Sequence, residues 1–326
     1  MAGGMTVAMP AGSSRRAQVA LAALPVLALA VLPFAGMPPD YTRILFTALV
    51  WITASIAWNL LGGFAGQVSF GFAVFYGLGA YTAMMMMNRG FSPYTSFLGS
   101  MAVAVIASFL VGLPTFRLRG PYFTISTIGV TEAVRVMMNN LSITGGASGI
   151  HIEEHAQFHE LDHYYSALVL AAGALCVSML VANSRFGLAL RAIRQDEDAA
   201  ADLGVNPYRC KLWVHAIGAA LTGAAGGVFA HRAAVIYPQD VFAFNVGIFI
   251  LLMPVIGGIG TVWGAVLGGI VFVIIKESLV ARFPKVHLLL YGALLVLIIL
   301  FEPDGLAGLL RRLAGRTRIL LGKQPA

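Results

Sequence analysis

Five residues near the middle of the chain, His159-Glu160-Leu161-Asp162-His163, match the H-E-x-x-H pattern. In that pattern two histidines one helical turn apart hold zinc and the glutamate activates a water. Histidines stand at 151, 155, 159 and 163, and a helix through residues 150–161 would carry them along one face, which is metal-ligand geometry. The setting argues against a protease. The motif lies at the edge of a loop with no domain around it to form a groove, and Asp162 adds a charge inside a segment that must pack. A wet helix with its histidines near headgroups suits the loop as well. No residue is assigned to catalysis, to a cofactor or to a metal.

The glycine groups Gly62-Gly63, Gly145-Gly146 and Gly257-Gly258-Ile259-Gly260 are never followed by the Lys-Ser/Thr pair of a phosphate-cradling loop. Any ATP chemistry therefore belongs to another chain. Spacing by four recurs instead, in Gly260, Gly264 and Gly268, in Gly218, Thr222 and Gly226, and in Ser69, Ala73 and Gly77. Each trio reads as a helix face that lets backbones approach closely.

Polar residues inside apolar runs are costly and so informative. Asn59 and Gln67 flank "LLGGFAG", and Ser69 follows. One later run holds Thr124, Ser126, Thr127, Thr131, Glu132 and Arg135. Glu132 and Arg135, three apart, are placed to pair, either as a packing contact or as a polar lining. The most charged stretch is Asn183 to Lys211, with Arg185, Arg191, Arg194, Arg209 and Lys211 among Asp196, Glu197, Asp198 and Asp202. Ala189 to Leu203 has helix composition, stopped by Gly204 and Pro207. Leu190, Ile193, Ala200 and Leu203 are interrupted by Gln195 to Glu197, so no continuous apolar face is expected. The stretch reads either as a positive-inside linker or as a helix docked on protein.

These residues need an apolar scaffold, and the composition supplies one. Of 326 residues, 59% are hydrophobic and 11% charged, against roughly 25% charged in soluble domains. Cys176 and Cys210 imply no disulfide framework. The net charge of +7 suits loops that meet anionic lipid better than nucleic acid. Apolar runs cover 17–36, 43–61, 67–87, 96–113, 121–139, 164–182, 212–230, 244–258, 262–280 and 287–301. Most are near the roughly 20 residues needed to cross a bilayer. The fold class is all-α and polytopic, with about ten transmembrane or part-membrane helices. The runs around 43–87 and 244–280 are broken by glycine, and each has room for a half-length or re-entrant helix. The first run reads as a retained span, not a cleaved leader.

Residues 1–16 form an N-terminal tail, 17–308 the membrane domain and 309–326 a basic tail. With both termini cytoplasmic, Arg15, Arg16, Arg117, Arg119, the bases of 183–211, and Arg311, Arg312, Arg316, Arg318 and Lys323 lie inside. Asp40, Glu153, Glu154, Glu160, Asp162 and Asp240 lie outside, several of them in the long loop 139–163. That is the positive-inside arrangement.

Five ordered segments carry a resemblance: "WNLLGGFAGQVSFGFAVFYGLGAYTA" (58–83), "RLRGPYFTISTIGVTEAVRV" (117–136) with "LSITGGASGI" (141–150), the stretch from Ser184 to Gly227, and "LLMPVIGGIGTVWGAVLGG" (251–269) with "FEPDGLAG" (301–308). They resemble the permeases of high-affinity branched-chain amino acid ABC importers, in particular the LivM-type subunit. The resemblance implies an inner-membrane transport subunit and no enzyme. Its implied partners are a LivH-like permease, two ABC ATPases that use ATP and Mg, and an extracytoplasmic amino-acid-binding protein. It also implies that Arg191, Arg194, Glu197, Ala200 and Gly204 couple to an ATPase. Candidates for the translocation path are Asn59, Gln67, Ser69, Thr127, Glu132, Gly145 and Gly146. Phe186-Gly187-Leu188 departs from the Gly-Arg more usual in the family, and the histidine-rich loop is not part of its pattern. Permeases of this architecture for urea, short amides or aromatic compounds, and an ion-coupled secondary transporter with Glu132 as its internal acid, are the rival readings.

Overall fold

The computed structural model describes residues 24–35, 39–152, 160–282 and isolated positions between 286 and 308. After a helix over 24–31 (α1) come α2 (Pro39–Asn59), α3 (Phe72–Met87), α4 (Pro93–Thr115), α5 (Pro121–Asn140) and α6 (Glu160–Ala182). Two short helices, α7 (Arg185–Gln195) and α8 (Glu197–Asp202), lead into α9 (Pro207–Arg232). The four-residue α10 (Pro238–Val241), α11 (Phe244–Gly257) and α12 (Val262–Arg282) complete the described helices. A two-residue strand pair, β1 (Ile150–His151) and β2 (Val235–Ile236), clips two loops together.

Among the described residues six helices are long and apolar enough to cross a membrane. The sequence suggested about ten, and the difference has local causes. α3 is too short, and α5 is of spanning length but too polar. Of the run 17–36 only 24–35 are described, a helix over 24–31 and a short 3-10 turn, while the run 287–301 lies largely, and the tails 1–16 and 309–326 wholly, outside the described residues.

The bundle packs as membrane helices do, with small residues inward and large apolar ones outward. α4 buries Ser96, Ser100, Ala104, Ser108 and Gly112, one every four residues, and exposes Leu98, Ile106 and Leu110. α9 runs between α3 and α4 at backbone contact. A Cβ at Gly79 would lie 2.0 Å from the Gly223 carbonyl oxygen, and one at Gly226 would lie 2.0 Å from that of Tyr76. The Ser100 hydroxyl crosses from α4 to donate to the Gly79 carbonyl at 2.7 Å. Gly264 and Gly268 of α12 meet α11 in the same way, at Gly257 and Met253. Gly260, expected on that helix face, is in the turn between them, and Ser69, expected in line with Ala73 and Gly77, precedes α3 in extended chain.

α2 is central, packed on α6, α9, α11 and α12. It continues as one wide π-turn over Leu60–Phe64, after which residues 66–69 have no regular secondary structure and Gly66 takes φ +74°. Gly63 abuts Gly260 at one end of α11, whereas the Phe70 carbonyl abuts Gly247 near the other end. The chain from Gly63 to Phe70 therefore climbs roughly the ~20 Å length of α11 before α3 begins. The run 67–87 is irregular chain over 67–71 and helix from Phe72 onward.

Ends of the bundle differ in character. One end gathers the α2 break, the α4–α5 turn, α7, α8 and the 258–261 turn. The other gathers β1, β2 and the α3–α4 turn, where Asn88 donates to the His151 carbonyl at 2.8 Å. His151 is in a strand, so a helix starting at 150 does not form. His155 and His159 lie outside the described residues. His163 is buried in α6 with its Nδ1 3.1 Å from that of His231. The periodic histidine face is thus broken at both ends.

Candidate functional site

The segment from Ser184 to Asn206 forms a compact knuckle, each bend of which is made by a polar cap. Ser184 Oγ accepts from the Gly187 amide at 3.1 Å and starts α7. The single helix expected over 189–203 breaks at Asp196, whose backbone is extended and whose Oδ1 accepts from the Asp198 and Ala199 amides at 2.9 and 3.0 Å. An aspartate followed by Glu197 and Asp198 is a strong helix start, so it ends one helix to begin another. α8 ends in a Schellman motif at Gly204, φ +86°, where Gly204 donates to Ala201 and Val205 to Ala200. Asn206 then caps α9, accepting from Arg209 at 3.0 Å. Leu190, Ile193 and Ala200 are each buried, and of the three Leu190 joins the main apolar core. Only Leu203, 84% exposed, is left out.

The knuckle's charges turn toward its own chain. Arg191 donates from Nη2 to the carbonyl of Ala182, at the end of α6. Arg194 donates from Nη1 to the Gly63 carbonyl at 2.6 Å, its stem passing Gly66 and its head Gly260. Partial desolvation there lowers the guanidinium's pKa from its ordinary value, and arginine's is high enough that the charge stays. Glu197 Oε2 is 2.5 Å from Nζ of Lys211, a lysine only 1% exposed. Asp198 pairs with Arg119 at 3.1 Å on the surface. The exposed surface of the knuckle includes Arg185, Leu188, Gln195, Asp196, Asp202, Leu203 and Gly204. The pairings of Lys211 and Arg119 could not be foreseen in the sequence because their partners lie 14 and 79 residues away, at no helical spacing.

Directly above Arg194 is the broken span. Asn59, fully buried, donates from Nδ2 to the Thr261 carbonyl at 3.0 Å and accepts from the Gly260 amide on Oδ1 at 2.9 Å. It locks the end of α2 to the α11–α12 turn. The irregular chain keeps one bond to the π-turn, from the Gln67 amide to the Leu61 carbonyl at 3.3 Å, and α5 supplies others. Thr124 donates to the Val68 carbonyl at 2.9 Å, Thr127 accepts from the Phe70 amide at 3.1 Å, and Thr131 lies 3.4 Å from the Phe70 carbonyl. Trp58 donates to the Ser69 carbonyl at 2.7 Å, and Ser69 Oγ accepts from Gly71. Ser69 and Thr127 are thus buried supports. Gly66, Gln67 and Val68 reach the surface beside them, where Gln67 is partly exposed. Glu132 is on the exposed side of α5, joined to Arg135. Gly145 and Gly146, both with positive φ, shape the loop at the far end; a Cβ at Gly145 would lie 2.0 Å from the Gly149 carbonyl oxygen. They do not meet the Asn59–Thr127 group.

Comparison with known proteins places this geometry. The family described as the permease component of branched-chain amino acid transport systems matches residues 41–299. The chain is 32% identical to the high-affinity branched-chain amino acid transport system permease protein LivM of Escherichia coli, over 92% of this chain and 77% of that one. It is 30% identical to the probable LivM permease of Methanocaldococcus jannaschii over 63% of this chain and 66% of that one. With the LivH permease of Escherichia coli it shares 24% identity, over 78% of this chain and 90% of that one. No solved structure matches it. A helical membrane body with a broken span beneath which a surface knuckle is fastened is accordingly that of a transport subunit, and the chain belongs to the family of permease components of branched-chain amino acid transport systems.

Proposed function

We propose that this chain is one permease half of an ATP-driven importer of branched-chain amino acids, and that α7 and α8 receive the stroke of a cytoplasmic ATPase. The observation that carries the reading is the Arg194–Gly63 hydrogen bond, which joins the knuckle to the broken span with no element between. A second, LivH-like permease completes the pathway, two ATPases bind ATP and Mg, and a binding protein docks at the β1–β2 end. With α3, α5 and the flanking apolar runs counted, about ten crossings put both termini in the cytoplasm. Extended backbone at depth offers a zwitterion polar groups that a continuous helix withholds, as in other transporters with discontinuous spans.

Docking and transmission are assigned here to different residues, so they separate by mutation. Leu203→Asp puts a charge on the outward face. It should remove the ATPases from the purified complex while the permease still inserts. Arg194→Ala should leave them bound and lower uptake about tenfold, the worth of one charged hydrogen bond. Full uptake by both variants in proteoliposomes would reject the coupling role.

A further inference from the structure

Two features of one surface do not suit lipid. α5 is 20 residues long, yet is not among the helices apolar enough to cross. It buries Phe123, Thr127, Thr131 and Met138 and exposes Tyr122, Ile125, Glu132 and Val136. On that exposed face Arg135 grips Glu132 with two prongs, Nε to Oε2 at 2.9 Å and Nη2 to Oε1. The side chains are 30% and 53% exposed. Ionised groups at membrane depth face protein or a water-filled cavity, not hydrocarbon. About two turns nearer the start of α5, where Thr124 bonds the Val68 carbonyl, the irregular chain is exposed as well, with Val68 41% exposed and Gly66 open to the surface. Irregular backbone at that depth obeys the same rule. Both features therefore call for protein or water, not hydrocarbon, over this surface.

We propose that the Glu132–Arg135 pair is the point in the pathway where the solute's own two charges are met, its ammonium by Glu132 and its carboxylate by Arg135. This rests on the permease reading above. A zwitterion leaving bulk water needs both charges answered at once. A single fixed charge would answer one and repel the other. A formed pair opens to admit the solute, exchanging one ion pair for two of the same kind, and the net charge of the passage never changes. The guanidinium fork matches a carboxylate in particular. The neighbours on the same face, Ile125 and Val136, are apolar and exposed, and suit an aliphatic side chain. The pair thus selects for aliphatic zwitterions as a class.

The test uses the complete transporter in proteoliposomes with leucine-loaded binding protein at saturation. Glu132→Gln and Arg135→Gln should each lower turnover about tenfold or more, as loss of a charged hydrogen bond does, while the second permease still co-purifies. The double variant Glu132→Leu/Arg135→Met removes the pair without leaving a lone charge. It should insert and assemble yet remain as slow as the single variants. Wild-type turnover in that double variant would mean the pair only packs, and would overturn the proposal. So would loss of the second permease from the single variants, which would make the pair a subunit contact. No leucine uptake by the wild-type complex would instead count against the permease reading, and against the pair with it.

Discussion

Lys211 shows most clearly what individual side chains do in this molecule. It is a lysine with 1% exposure, and its ammonium depends on one carboxylate at 2.5 Å. Removing that carboxylate leaves a buried charge without compensation, which costs about 3–5 kcal/mol, whereas removing both charges is close to neutral. Glu197→Gln should therefore lower the unfolding temperature in detergent markedly, and Glu197→Gln/Lys211→Met should recover most of it. A single variant as stable as the double would show that the pair has little structural weight. The family resemblance marked Glu197 as a coupling residue, and neither it nor composition, which shows only that a loop is charged, says where the charge points. Arg191 and Arg194 were singled out for the same reason, and both turn inward to carbonyls of their own chain. At this scale the types of residue were legible and their directions were not.

At the scale of elements, backbone contact decides which substitutions are tolerated. Gly79 and Gly226 hold α3 on α9 with no room for a methyl group, since the added carbon would meet a carbonyl oxygen at 2.0 Å. Gly79→Ala and Gly226→Ala should each destabilise the bundle by about 1–3 kcal/mol as overpacking. Gly173→Ala, with nothing within 4 Å of the new carbon, should not. The amount of folded protein recovered in detergent by size exclusion checks all three. The helices themselves were legible because long apolar runs have no alternative in a bilayer. Two features were not. The break at Asp196 depends on a cap competing with continuation of a good helix, and both choices have the same composition. The irregular chain over 66–70 depends on Thr124, Thr127 and Thr131 standing beside Val68 and Phe70 on another helix, which no local pattern encodes. The threonines could be picked out as unusual, but their partners could not.

For the molecule as a whole, the reading stands or falls on which end faces the cytoplasm. In a background with Cys176 and Cys210 replaced by serine, Gln195→Cys should react with a membrane-impermeant maleimide only after the cells are opened. Phe91→Cys, exposed at the opposite end, should react in intact cells. The reverse pattern would turn the transporter over and end the coupling scheme. If the orientation holds, the way the knuckle is fastened has a mechanical result. Arg191 stands on the end of α6, Arg194 on the α2 break, and Glu197 on the root of α9. Three legs on three separate supports make a tripod, and a tripod cannot rock on one foot. A push from below is delivered to all three at once, so the body above has to move as a unit or stay still.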